Sequence, residues 1–215
     1  MRALALPAAV LSLLIAGPAG AKDPAQNLVS LRWAVGALDA GGGKPAAIQR
    51  DTKLETGSKL KLLVEPRSPS SVYLLLFDSS QEIQVLYRKT STVSHVSGEK
   101  PTYIPPGSQW FELEKGAGME TFFLLASVEP LKELDQKLDR YEAAPASDKK
   151  ASAALVVEEV RRLNKAYRNL ARPVERPVMI GGQTRGTTSA ADAIDQLAVE
   201  VEAERFYGKT ITIDH

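Results

Sequence analysis

The chain has 215 residues, and its 27 basic side chains nearly balance its 26 acidic ones. This balance argues against nucleic-acid binding and against polybasic attachment to a membrane surface, because both depend on an excess of positive charge. The chain contains no cysteine, which excludes disulfides, thiol catalysis, covalently attached haem and thiolate zinc sites.

The start of the sequence has the three parts of a cleavable export signal. Arg2 supplies a positive charge, residues 3–16 are almost all apolar, and Ala19-Gly20-Ala21 is the small-residue pattern that signal peptidase reads. The apolar run is shorter than the roughly 20 residues that cross a bilayer. We therefore expect a signal peptide over residues 1–21, cleavage after Ala21, and a soluble mature protein in the periplasm or outside the cell.

Residues 22–129 begin with two segments of alternating polarity. From Val29 to Ala37, and again from Lys59 to Val64, apolar and polar residues alternate with a period of two. This period is typical of strands with one buried face. In the second segment Leu60 and Leu62 are predicted to point inward, while Lys59 and Lys61 point outward.

The run from Val72 to Phe77 is apolar at every position. A short run of this kind, bounded by polar turns, is typical of a central strand covered on both faces. The alternation resumes at Ile83 after the turn at Asp78–Gln81, which predicts a hairpin. Further strands are predicted at Gln109–Leu113 and Thr121–Val128. Together these segments predict an antiparallel β-unit, built as a sandwich or a half-barrel.

Residues 130–173 change to helical spacing. Apolar residues from Leu131 to Tyr141 recur at intervals of three and four, and Pro130 suits the first helical position. A longer helix is predicted from Asp148 to Ala171, since Pro173 stops it. The two helices are expected to form a hairpin. On the second one we predict an ion pair between Glu158 and Arg162.

Residues 174–215 are predicted to end in a strand at Thr210–Ile213 that completes the same domain. Residues 190–206 fit two structures, since Ile194 and Leu197 have helical spacing whereas Val199 and Val201 alternate with glutamates as in a strand. The predicted fold class is therefore α+β: an antiparallel β-unit, a helical hairpin, and a C-terminal helix or strand that returns to the sheet.

No catalytic or metal-binding pattern emerges from the sequence. His95 lies in a polar loop without triad context, and His215 is expected to be frayed. The segment Gly181–Gly186 lacks the Lys-Ser/Thr of a phosphate-binding P-loop. Glu158 and Glu159 occupy successive positions around a helix and are expected to be solvated. We therefore predict no catalytic residue, no metal and no cofactor.

Residues 89–110 are predicted to form a long loop that carries recognition. Exposed aromatic residues on such loops give large contact areas. The predicted partner-binding residues are Tyr103, Pro105, Pro106 and Trp110, and the alternative is that Trp110 packs in the core. The expected function is a non-enzymatic binding or assembly module of the cell envelope that contacts a protein partner or an envelope component. Two alternatives stay open: a small-ligand carrier with an apolar pocket, and a hydrolase using carboxylates.

Several segments between about residues 48 and 131 carry a family resemblance. They are Gly57–Val64, Val72–Phe77, Ile83–Tyr87, Pro105-Pro106, Trp110-Phe111, Gly116–Glu120 and Phe123–Ser127. This order of strands, proline loop and glycine turn resembles the bacterial domain-of-unknown-function 4384 family. Ser58 and Arg88 depart from it, because an acidic residue and a proline are usual there. The resemblance implies a β-rich module of exported bacterial proteins with no established chemistry.

Overall fold

The computed structural model describes residues 27–90, 100–113, 118–178 and 189–215. The expected export signal, His95, the segment Gly181–Gly186 and most of the turn before Thr121 lie outside these ranges. Within them the chain forms these strands and helices: β1 (Leu28–Leu38), β2 (Ala46–Ala47), β3 (Thr52–Lys53), β4 (Lys59–Pro66), β5 (Ser71–Phe77), β6 (Ile83–Lys89), β7 (Thr102–Ile104), β8 (Phe111–Glu112), β9 (Met119–Ser127), α1 (Lys132–Ala143), α2 (Lys149–Tyr167), β10 (Val174–Pro177), α3 (Ala190–Asp195), β11 (Val199–Glu204) and β12 (Phe206–Asp214).

The strands form two sheets that pack face to face. The first sheet has the order β10-β11-β1-β4-β7, with β2 beside β1 and β8 beside β4. The second sheet has the order β3-β12-β9-β5-β6. Neighbouring strands are antiparallel except for β12 and β3. The predicted α+β class is confirmed, and the β-unit is the sandwich of the two alternatives.

The main core lies between the sheets. The alternation of β1 turns Leu31, Trp33 and Val35 inward, where they join Leu74 and Phe122 of the second sheet in one buried cluster. Each of these side chains is removed from water, and burial of one such side chain contributes roughly 1.5–3 kcal/mol. The apolar side chains that alternate with a period of two in β1 therefore face the sandwich interior, as predicted.

The helical hairpin covers the outer face of the second sheet. Tyr73 and Leu75 of β5 and Leu125 of β9 point to this side and pack against Leu134 of α1 and Val160 of α2. Strand β5 is hydrogen-bonded to β6 on one side and to β9 on the other. The prediction that Val72–Phe77 is an internal strand with two buried faces is confirmed.

Both predicted structures occur within residues 190–206. Helix α3 starts at a capping box in which Ser189 Oγ accepts from Asp192 N and Asp192 accepts from Ser189 N. The alternation of Val199 and Val201 then forms β11 beside β1. Helix α3 lies on the outer face of the first sheet, where a Cβ at Gly36 would overlap the Ile194 side chain.

The helix bounds differ from those expected. Helix α1 begins at Lys132 rather than at Pro130, because Leu131 has non-helical backbone angles and is buried under the hairpin. Helix α2 ends at Tyr167, since this ring stacks on Phe206 with centroids 4.5 Å apart and the chain then turns toward β10. None of the helices described is long and apolar enough to cross a membrane.

Arg88 of β6 connects the second sheet to α1. Its guanidinium lies 2.8 Å from Asp135 and 2.7 Å from Asp139. The hydroxyl of Tyr73 donates to the same Asp135 at 2.9 Å. A proline at position 88 would lose these contacts.

Candidate functional site

The predicted recognition residues lie together on the outer face of the first sheet. Strand β7 pairs with β4 before the loop 105–110, and β8 pairs with β4 after it. Both ends of this loop are therefore fixed to one buried strand. Tyr103 and Trp110 are half-buried rather than exposed, because they pack on the small apolar cluster under α3. Pro105 is half-buried and Pro106 is exposed.

Tyr103 belongs to a chain of polar contacts that links four elements. Its hydroxyl donates to Asp195 Oδ2 at 2.5 Å. Arg32 donates to the other oxygen of Asp195 at 2.7 Å and to Glu65 at 2.7 Å. Burial, with the carboxylate as hydrogen-bond acceptor, raises the pKa of Tyr103 above its ordinary value. The contacts hold α3 and β7 in fixed positions on β1 and β4.

Lys61 is the unexpected centre of the site. Its side chain is fully buried, and its Nζ donates to the carbonyl oxygens of Pro105 at 2.8 Å, Gly107 at 2.9 Å and Gln109 at 2.7 Å. The sequence placed Lys61 on the outer face correctly but predicted exposure wrongly, because the loop covers it. Burial lowers the pKa of Lys61. Three acceptors nevertheless match the three N–H donors of the ammonium form.

The lysine determines what the loop presents to solvent. Because alternate carbonyls turn inward to the ammonium, the residues at the tip, Pro106 to Gln109, stay exposed. Gly107 has φ of 64°, a left-handed conformation that favours glycine. The Trp110 ring centroid lies 5.9 Å from Lys61 Nζ. The loop is thus a short exposed tip on a buried, hydrogen-bonded base.

A second cluster was missed by sequence reasoning. The chain end is held in place rather than frayed: the His215 side chain is only 6% exposed, and its backbone exchanges hydrogen bonds with Gly118 at 2.9 and 3.1 Å. Its Nε2 lies 3.7 Å from Glu120 Oε1, which is too far for a hydrogen bond. Neither imidazole nitrogen nor Glu120 Oε2 has a partner in the described part of the chain. No local signal links residues so distant in sequence.

Glu120→Gln is expected to stabilise the protein at neutral pH. Burial, and then the charge of Asp78, raise the pKa of Glu120. A raised folded-state pKa means that the ionised form is disfavoured by folding, so stability is lost as pH rises through that pKa. We expect the variant to be more stable than the parent at pH 7, because neutral glutamine does not carry the desolvation cost of the carboxylate. Unfolding midpoints between pH 4 and pH 8 measure this.

The gain in stability from Glu120→Gln should vanish near pH 4, because the parent and the variant are then both largely neutral at position 120. Glu55→Gln is the matched control, because Glu55 is exposed and its variant should follow the parent throughout. A pH-independent difference between Glu120→Gln and the parent would contradict the assigned pKa shift.

Two hollows among the described residues differ in size and lining. A gap of about 10 Å³ between the sheets, lined by Trp33 and Leu74 among others, has room for about one water. A shallow hollow of about 210 Å³ on the first sheet is lined by charged residues, Arg67, Arg176 and Glu202 among them. Within the described ranges, no group of three potential metal-ligating side chains is close enough to hold an ion.

No protein-family model, curated protein or solved structure matches this chain. Its function therefore has to be inferred from the geometry of its own side chains.

Proposed function

We propose that this protein is an exported binding or assembly module of the bacterial cell envelope, and that the loop 105–110 is its contact surface for a protein partner. The observation that carries this proposal is the buried ammonium of Lys61 bound to three loop carbonyls. Removing a charge from water costs several kcal/mol. The use of that charge to fix an exposed loop suggests that the conformation of the loop matters.

A fixed loop is suited to recognition for an entropic reason. Ordering a flexible loop on binding costs free energy, and a loop that is already ordered avoids that cost. The tip offers Pro106 and polar groups, while Tyr103 and Trp110 stand half-buried at its base. This is a small mixed surface, of the kind that protein partners contact through a few anchoring side chains.

Export and family membership are part of the same proposal. The signal pattern over residues 1–21 supports an envelope or extracellular location. The segments of residues 48–131 that resemble the domain-of-unknown-function 4384 family imply the same compartment, although no family model matches the chain. Both stay predictions, and they agree with each other.

Of the two alternatives, only the hydrolase has an observation that bears on it. Glu120 and His215 are an acid and a base 3.7 Å apart, and proton transfer between such groups is a step in many hydrolytic reactions. However, both side chains are largely buried, so a substrate would not reach them as the structure stands. An apolar carrier has no comparable support, since the gap between the sheets fits about one water.

The test is site-specific photo-crosslinking in cells that express the full-length chain. A photoreactive residue replaces Ser108 at the tip, and a matched one replaces Ser80 in the exposed β5–β6 turn. We expect a discrete protein adduct from position 108 and none from position 80. The intact mass of the recovered protein also reports whether residues 1–21 have been removed.

The same crosslinking experiment is repeated in the Lys61→Met variant, and this comparison decides between the proposal and a merely exposed loop. Methionine fills much of the same space without the charge, and the carbonyls of the exposed loop can turn to water once they lose their donor, so the loop should be released while the rest of the fold is kept. The adduct from position 108 should then fall several-fold. Equal yields from the two positions, or a yield unaffected by Lys61→Met in a folded protein, would sink the proposal.

A further inference from the structure

The exposed side of helix α2 carries a row of basic side chains. Lys150, Arg161 and Lys165 of α2 and its C-cap residue Arg168 are exposed. They are spaced by eleven, four and three residues, which places them on one side of the helix. We call these four residues the basic stripe. The opposite side of α2, with Val156 and Val160, is buried against the second sheet.

The charges of the basic stripe are not neutralised by neighbours. Arg162 and Lys137 of the hairpin bind Glu159, but the four stripe residues form no ion pair within the ranges that the structure describes. Glu158 is the acidic residue that borders the stripe, and it is exposed and also unpaired there.

The neutral total charge of the chain conceals this local excess. Several acidic side chains of the hairpin are paired away from the stripe: Asp135 and Asp139 bind Arg88, and Glu133 and Glu159 bind Arg162. Glu200, Glu202 and Glu204 of β11 are exposed on the outer face of the first sheet. The hairpin lies on the other side of the sandwich. The composition argument against polyanionic surfaces used the total charge, which does not describe four neighbouring basic side chains that lack acidic partners in the described ranges.

We propose that the basic stripe binds the anionic headgroup surface of a lipid bilayer. The stripe extends about 27 Å from Lys150 to Arg168 at 1.5 Å per residue. The two hollows described above do not border α2, and four charges spread over this length match an extended charged surface. The apolar side of α2 is already used by the sheet, and attachment is therefore electrostatic and peripheral.

A bilayer fits the stripe better than a nucleic acid does. Single strands are held by a positively charged groove together with aromatic rings on which successive bases stack. The aromatic residue nearest the stripe, Tyr167, is half-buried and already stacks on Phe206. The stripe consists of positive charges and contains no aromatic ring on which a base could stack. Such a surface matches the negative charge of a lipid headgroup layer.

The two surfaces lie on opposite sides of the molecule. The loop 105–110 is on the outer face of the first sheet, whereas the stripe is outside the second sheet. A protein held to a bilayer through the stripe would therefore point the loop away from the membrane. This inference goes beyond the proposed partner-binding function and does not depend on it.

The test measures co-sedimentation with lipid vesicles at low salt. Protein recovered after expression of the full-length chain is mixed with vesicles of phosphatidylcholine alone or with phosphatidylglycerol added. We expect binding only to the anionic vesicles, and its loss at high salt, because the interaction is screened beyond about 10 Å at 0.1 M salt. Equal binding to both vesicles would overturn the proposal.

Two triple variants separate the stripe from net charge. Arg161→Gln, Lys165→Gln and Arg168→Gln together remove three stripe charges, with glutamine chosen because a carboxylate at a helix C-terminus would destabilise it. Each charge contributes about fivefold to binding, so affinity should fall on the order of 100-fold. The control combines Lys44→Gln, Arg50→Gln and Lys100→Gln, which are exposed residues outside α2.

A gain-of-binding variant completes the experiment. Glu158→Lys adds a positive charge beside the stripe and should raise affinity for anionic vesicles at least fivefold. Equal losses in the two triple variants would show that net charge alone acts. Stronger retention by duplex DNA than by anionic vesicles would replace the bilayer with a nucleic acid. Circular dichroism and unfolding midpoints confirm that each variant is folded.

Discussion

Leu75→Ala should lower the free energy of unfolding by about 2–5 kcal/mol. Leu75 is fully buried on β5, between two hydrogen-bonded neighbours and beneath the helical hairpin. Truncation removes apolar contacts and leaves a cavity, because neither the sheet nor the hairpin can close the space without losing other contacts. Denaturant titration followed by circular dichroism measures the change.

Leu155→Ala is the matched control for this experiment. Leu155 is 51% exposed on α2, and alanine is at least as good a helix former. Its unfolding free energy should therefore stay within about 0.5 kcal/mol of the parent. A Leu75→Ala midpoint that equals that of Leu155→Ala would mean that β5 is not the buried strand described above.

Glu159→Ala should lower the free energy of unfolding by about 2–3 kcal/mol at neutral pH. This is somewhat less than the 3–5 kcal/mol typical of a broken buried ion pair. The Glu159 side chain is 1% exposed, with Lys137 at 3.0 Å and Arg162 at 2.6 Å. The cost is reduced because both cations are partly exposed and can regain water. The sequence expected a solvated Glu159 and an Arg162 pair with Glu158, and both expectations were wrong.

The Glu159 contribution should disappear in acid. The hydrogen bond from Arg162 is the main cause that lowers the pKa of Glu159. A lowered folded-state pKa gives stability that is present above the unfolded value of about 4.3 and is lost as pH falls through the folded value. The difference between the parent and Glu159→Ala should therefore shrink below about pH 4.3.

Glu158→Ala provides the control on the adjacent residue. Glu158 is exposed, so its removal should change stability by less than about 0.5 kcal/mol. Unfolding free energies of the three proteins between pH 3 and pH 7 decide the question. Comparable losses of unfolding free energy in Glu158→Ala and Glu159→Ala would contradict the assignment of a buried ion pair to Glu159.

The candidate site was only partly visible in the sequence. Aromatic and proline residues in a long polar segment identified Tyr103 and Trp110, and the structure places both at one site. Lys61 and its three carbonyl partners were not found, because Lys61 has the same alternating pattern as Lys59, which stays partly exposed. Asp195 was also missed, since it meets Tyr103 only when α3 packs on the first sheet.

The sequence by itself determined the elements with strong local periods. Alternation at Val29–Ala37, the apolar run at Val72–Phe77 and the helical spacing after Pro130 each specify which side of an element is apolar, and all three elements form. Tertiary structure alone decided what covers the other side. It buried Lys61 under a loop, Glu159 between two helices and His215 beside Glu120, because the burial of a polar side chain depends on groups brought close by folding and not on its neighbours in sequence.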